Sequence, residues 1–136
     1  MNIVTCISGL PLEGKSGELL EAFVTANNNP LLTAVLIVCV ENESVRDIEL
    51  NKIEQALSVL PQTQCDIQHV FNHEELKNCI YTHVSKSDCV VYIDMPEKIV
   101  QHFEIEVNQL VDMYPNIQCS NSLDIVYTRT RIPAGV

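Results

Sequence analysis

From Leu31 to Val40 the chain is apolar at every position except Thr33. The run is too short for a membrane-crossing helix, which takes about 20 apolar residues. It also lacks the polar alternation of a strand with one face in water. A short, uninterrupted, β-branched run of this kind belongs to a strand covered on both faces, the situation of an inner strand in a parallel sheet. Such runs recur, and Asn2–Ser8, Thr33–Val40, Cys65–Phe71, Cys89–Asp94 and Leu123–Tyr127 are predicted strands. Helical spacing fills the intervals. Leu19, Leu20, Phe23 and Val24 share one face, as do Val45, Ile48, Ile53, Ala56, Leu57 and Leu60. Ile99, Val100, Phe103, Val107, Leu110 and Val111 form a third stripe, and a shorter helix near Glu74–Val84 carries Leu76, Ile80 and Val84.

The punctuation agrees with this alternation. Asn72-His73-Glu74-Glu75 has a helix-capping residue followed three positions on by a carboxylate. Asn28, Asn29 and Pro30 close the first helical stretch and Pro61 closes the second. Strands alternating with helices predict an α/β fold, a three-layer sandwich with a mainly parallel five-stranded sheet and right-handed crossovers. The 136 residues contain no linker-like stretch, so a single domain spanning 1–136 is expected.

In such a sheet ligands sit at the carboxyl ends of the strands, and the most specific motif lies there. Gly9 to Ser16 read G-L-P-L-E-G-K-S, matching the phosphate-loop pattern G-x-x-x-x-G-K-[ST] between an apolar strand and a helical pattern. In this pattern Gly9 and Gly14 let the loop curl with its N–H groups inward. Lys15 supplies a point charge for the β- and γ-phosphates of GTP or ATP. Ser16 gives its hydroxyl to Mg²⁺ and opens a helix whose N-terminal dipole favours the anion. The bland alternative is a strand-to-helix turn with Ser16 as its cap. Glu13 places a negative charge beside a site for phosphates, which weakens binding.

A phosphate-loop enzyme also needs a carboxylate at the end of a neighbouring strand to hold the metal shell. Asp94, ending Cys89-Val90-Val91-Tyr92-Ile93-Asp94, fits that role; it also fits the N-cap of a helix with Pro96 in its first turn. Glu43-Ser44-Val45-Arg46 follows the second strand. Glu43 would orient water or metal and Arg46 would touch a γ-phosphate, or the segment is a helix start with an exposed arginine. His69, His73 and His83 are read as surface residues. Tyr81, Tyr92, Tyr114 and Tyr127 are read as core-edge residues.

Composition narrows the partners. Eighteen acidic and 8 basic residues give a formal charge of −10, which argues against nucleic acid and anionic membranes. The basic side chains cluster only in Thr128-Arg129-Thr130-Arg131. None of the 6 cysteines forms a C-x-x-C pair. Cys6, Cys39, Cys65 and Cys89 lie in or beside predicted strands and read as small buried hydrophobes. Met1 leads straight into a strand with no signal-type segment, so a reduced, cytoplasmic protein without a transmembrane segment is expected.

The order of these features resembles the G domain of signal-recognition-particle-type GTPases, especially the FlhF-like branch. The pieces that carry the resemblance are Gly9…Gly14-Lys15-Ser16, Glu43-Ser44-Val45-Arg46, His73-Glu74-Glu75-Leu76 and Val90-Val91-Tyr92-Ile93-Asp94, over roughly Met1 to Tyr127. The resemblance implies a P-loop NTPase-like fold, Mg²⁺ with GTP or ATP, and face-to-face pairing with a second copy or with a fuller GTPase. Leu12 stands where the family has the middle glycine of the loop, and Glu43 where it has aspartate. Met95-Pro96-Glu97 stands where it has the glycine that contacts a γ-phosphate, and no T-K-x-D segment follows the fifth strand. The expectation is therefore a degenerate relative, a regulatory or assembly module that binds a protein partner. An active Mg²⁺-dependent GTPase or ATPase is the alternative. A small-molecule kinase ranks third, because phosphate transfer favours several clamping cations and only Arg46, Arg129 and Arg131 are arginines.

Overall fold

The computed structural model describes residues 4–9, 15–29, 31, 33–58, 66–100, 103 and 122–130. Its strands are β1 (Val4–Gly9), β2 (Thr33–Cys39), β3 (Ile67–Val70), β4 (Cys89–Asp94) and β5 (Leu123–Thr130). Its helices are α1 (Lys15–Asn27), α2 (Glu43–Ser58) and α3 (His73–Val84), and a 3-10 turn spans Pro96–Lys98. The strand order is β1-β5-β4-β2-β3, and each neighbouring pair runs parallel. The parallel α/β architecture is the expected one. Half of the third helical stripe, Val107, Leu110 and Val111, lies outside the described residues, as do Pro61, Cys65, Tyr114 and Cys119.

Strand periodicity sorts the core into two layers. Val35, Ile37 and Cys39 of β2 pack with Leu76, Ile80 and Val84 of α3 and with Val100 and Phe103. Ala34, Leu36, Val38 and Val40 pack on the other side with Leu19, Phe23 and Val24 of α1 and with Ile53 and Leu57 of α2. Helices therefore flank the sheet on both faces, α1 and α2 on one and α3 on the other. Each large aliphatic side chain taken fully out of water contributes about 1.5–3 kcal/mol.

Local chemistry sets the helix starts. Asn72, extended at φ −150°, accepts the Glu75 N–H through its side chain, 2.9 Å. Glu75 Oε1 reaches back to accept the Phe71 N–H, also 2.9 Å. This is the reciprocal cap expected from the sequence, shifted one residue earlier on its return limb. At α2, Asn42 Oδ1 accepts the Ser44 N–H at 3.0 Å and also the Ser44 hydroxyl.

Two burial expectations are corrected. Ile48, assigned to the buried stripe of α2, is 55% exposed; the stripe is carried by Ile53 and Leu57, with Val45, Leu50 and Ala56 packed beside them. Cys6 is exposed rather than buried. Among the described residues β1 and β3 each have a neighbour on one side only, so they are the edge strands of the sheet.

Candidate phosphate and metal site

The segments singled out in the sequence converge on the carboxyl edge of the sheet. Gly9 ends β1, and Lys15 and Ser16 are the first residues of α1. Gly14, with Leu12 and Glu13, lies outside the described residues. Asp94 is the last residue of β4 and is 5% exposed. Side chains alternate along a strand, so Asp94 falls on the side of Tyr92, the face covered by α1 and α2. The strand that precedes the loop and the strand that ends in the carboxylate are separated by β5. Two strand spacings put them about 10 Å apart.

Asp94 does not cap a helix. The cap position of the 3-10 turn is Met95, in the left-handed region at φ 54°, and Asp94 stays in the strand. Thr128, fully buried on β5, donates its hydroxyl proton to Asp94 Oδ1 at 3.2 Å. The same hydroxyl oxygen accepts the Met95 N–H at 2.7 Å. Thr128 entered the sequence reading only as part of a basic cluster. No sequence signal marks it; in the structure Ile93 pairs with Tyr127, so the next step along puts Asp94 beside Thr128.

Four backbone N–H groups at the turn after Asp94 are used within the fold. The Lys98 N–H goes to the Met95 carbonyl at 3.1 Å. The Ile99 and Val100 N–H groups go to the Pro96 carbonyl at 3.0 and 2.9 Å. Pro96 has no N–H, and Met95 gives its own to Thr128. Lys98, not singled out in the sequence, lies between α2 and the strand ends. Its Nζ is 3.7 Å from Glu49 Oε2, and its charge bears on Cys39 together with that of Asp94. Burial first, and then Asp94, pushes the Cys39 thiol far up, with Lys98 pulling the other way. Cys39 is therefore a neutral packing residue.

Glu43 and Arg46 sit at the start of α2, which follows β2 at the same edge. Glu43 is exposed. The Arg46 Nε donates to Asp47 Oδ1 at 3.3 Å, an arrangement of two sequence neighbours.

A different cluster, remote from the loop in sequence, joins α3 to β3. The His83 Nε2 is 3.0 Å from Asp66 Oδ2, and its Nδ1 is 2.8 Å from the Cys79 carbonyl oxygen. His83 is thus partly buried and tied at both ring nitrogens, where the sequence suggested a surface residue. The Cys79 thiol lies 4.0 Å from Nδ1. It is pushed up to about 11, first by burial and then by the Asp66 charge, so it stays protonated and is a poor nucleophile at neutral pH.

Among the described residues no group of three or more His, Cys, Asp or Glu side chains is arranged to hold a metal ion. A magnesium shell does not require one. Mg²⁺ is commonly held by one or two carboxylates with phosphate oxygens and water supplying the rest, and the buried carboxylate of Asp94 suits that donor set. No helix among the described residues is long and apolar enough to cross a membrane. No protein-family model matches the chain, and no curated protein matches it significantly.

Proposed function

We propose that this chain is a degenerate P-loop NTPase-like protein that acts as a regulatory or assembly module, keeping a phosphate-loop scaffold without a working turnover site. The observation that carries this reading is the turn after Asp94. In a phosphate-loop hydrolase the charge developing on the transferred phosphoryl group is met by preorganised donors. Here the N–H groups of Met95, Lys98, Ile99 and Val100 are spent within the fold, Pro96 has none, and Glu97 adds an exposed acid.

The scaffold half of the proposal rests on the motif at Gly9, Gly14, Lys15 and Ser16, on α1 starting at Lys15, and on Asp94 buried on the α1 side of the sheet. With GTP or ATP bound, Lys15 would pair with the β- and γ-phosphates, and Ser16 and Asp94 would flank the Mg²⁺, which neutralises phosphate charge. Arg46 and Glu43 would border the γ-phosphate from the start of α2. The output would be docking to a protein partner, either a second copy or a fuller GTPase, in the reducing cytoplasm. That compartment agrees with free thiols at Cys6, Cys39, Cys79 and Cys89.

Isothermal titration with GTP, ATP and their diphosphates in Mg²⁺, on wild type and Lys15→Ala, tests the reading. The expected outcome is micromolar or weaker binding that Lys15→Ala abolishes, with no turnover. Steady hydrolysis lost in Lys15→Ala would instead establish the enzyme. Absence of heat with every nucleotide would remove the phosphate site and leave only the scaffold.

A further inference from the structure

Thr128 sits on the strand that separates the loop strand from Asp94. Its side chain is 0% exposed, so its hydroxyl has no access to water and must find partners within the protein. The partners are adjacent in sequence: the hydroxyl proton goes to the Asp94 carboxylate and the oxygen takes the Met95 N–H. The result is a closed relay, Met95 N–H to Thr128 O–H to Asp94 Oδ1, across one strand boundary.

That relay does two things at one point. It fixes the carboxylate oxygen of Asp94 at the carboxyl edge of the sheet, on the α1 side. It also tethers Met95, the non-glycine residue with positive φ among the described residues, in a conformation that a side chain disfavours. Valine has nearly the same shape as threonine and no polar group to satisfy, so a Thr128→Val change removes the two bonds and little else.

We propose that Thr128 is a positioning residue for the metal-binding carboxylate of Asp94. Through its bond to Met95 it couples the direction of that carboxylate to the turn that follows. This inference rests on the phosphate-site reading given above and names a component of it that the motif does not contain. Outer partners that orient a metal-bound ligand typically change metal affinity 10–100-fold when removed.

The test uses Mn²⁺ in place of Mg²⁺, read by electron paramagnetic resonance on the full chain with saturating GTP and, in parallel, ATP. Thr128→Val is expected to weaken Mn²⁺ binding about tenfold, and Thr128→Ser, which keeps the hydroxyl, to stay near wild type. Thr128→Val also removes the acceptor of the Met95 N–H, so it loses stability. The double variant Thr128→Val/Met95→Gly separates the two effects. Glycine adopts positive φ without strain but still carries the unpaired N–H, so the unfolding midpoint should recover in part while Mn²⁺ affinity stays low.

Unchanged Mn²⁺ affinity in Thr128→Val, with wild type binding, would overturn the positioning role alone. So would recovery of affinity in the double variant along with stability, since that would make Thr128 a structural residue. Absence of Mn²⁺ uptake by wild type with either nucleotide would overturn the phosphate-site reading, and this role with it.

Discussion

Cys79 shows how burial and a nearby charge act on one titratable atom. Its thiol is raised from the ordinary 9.0 to about 11, by burial and then by Asp66. The folded state therefore holds a proton that the unfolded chain gives up between those values. Stability linked to this thiol is complete below about pH 9 and falls as pH rises toward 11. Urea unfolding of wild type and Cys79→Ala from pH 7 to 10.5 should show a constant difference at first, then a shrinking one above pH 9. A difference that stays constant to the top of that range would mean the thiol is not desolvated. The residue cannot be singled out from sequence, because its shift comes first from burial and then from Asp66, which lies outside α3 on the approach to β3.

At the scale of elements, α3 was the most legible and the segment after β4 the least. The α3 signals are local: Asn72 as cap, Glu75 three positions on, and Leu76, Ile80 and Val84 at helical spacing, all buried. Removing the cap with Asn72→Ala should cost about 1 kcal/mol of stability, measured as a lower urea midpoint, with α3 exchanging its first amides faster. An unchanged midpoint would show that Glu75 alone holds the helix start. Asp94-Met95-Pro96, by contrast, reads in sequence either as a metal carboxylate or as a helix cap. Pro96 does open a 3-10 turn, but Met95 takes the cap position, and the Asp94 carboxylate is engaged by Thr128, 34 positions away. Long-range hydrogen bonds of this kind leave no local pattern. Glu43 and Arg46 fell between these cases: the helix start was legible from Glu43-Ser44-Val45-Arg46, but its Asn42 cap and the pairing of Arg46 with Asp47 were not.

Across the whole molecule, the layering follows from β2. Its alternate side chains feed two separate cores, Ile37 toward α3 and Leu36 toward α1 and α2. Truncation on either face should therefore be costly. Ile37→Ala, at 0% exposure, is expected to lose about 2–5 kcal/mol. Ile48→Ala, at 55% exposure, should change stability by about 0.5 kcal/mol or less, although helical spacing places Ile48 on an apolar stripe. Equal losses at the two positions would mean that Ile48 is covered in solution. The parallel sheet was readable because two-sided burial leaves near-continuous apolar runs. Strand order was not, because periodicity carries no information about which strands adjoin.

That order has a consequence in time. The ribosome delivers β1 first, yet its parallel neighbour is β5, with Val4 set against Ile125 and Gly9 against Thr130. While β2, β3 and β4 emerge and pair with one another, the opening strand and the glycine loop behind it have no sheet to join. Pairing strands so far apart in sequence is slow. The carboxyl edge of the sheet is consequently completed last: the strand that brings Thr128 to Asp94 is also the one that β1 must wait for.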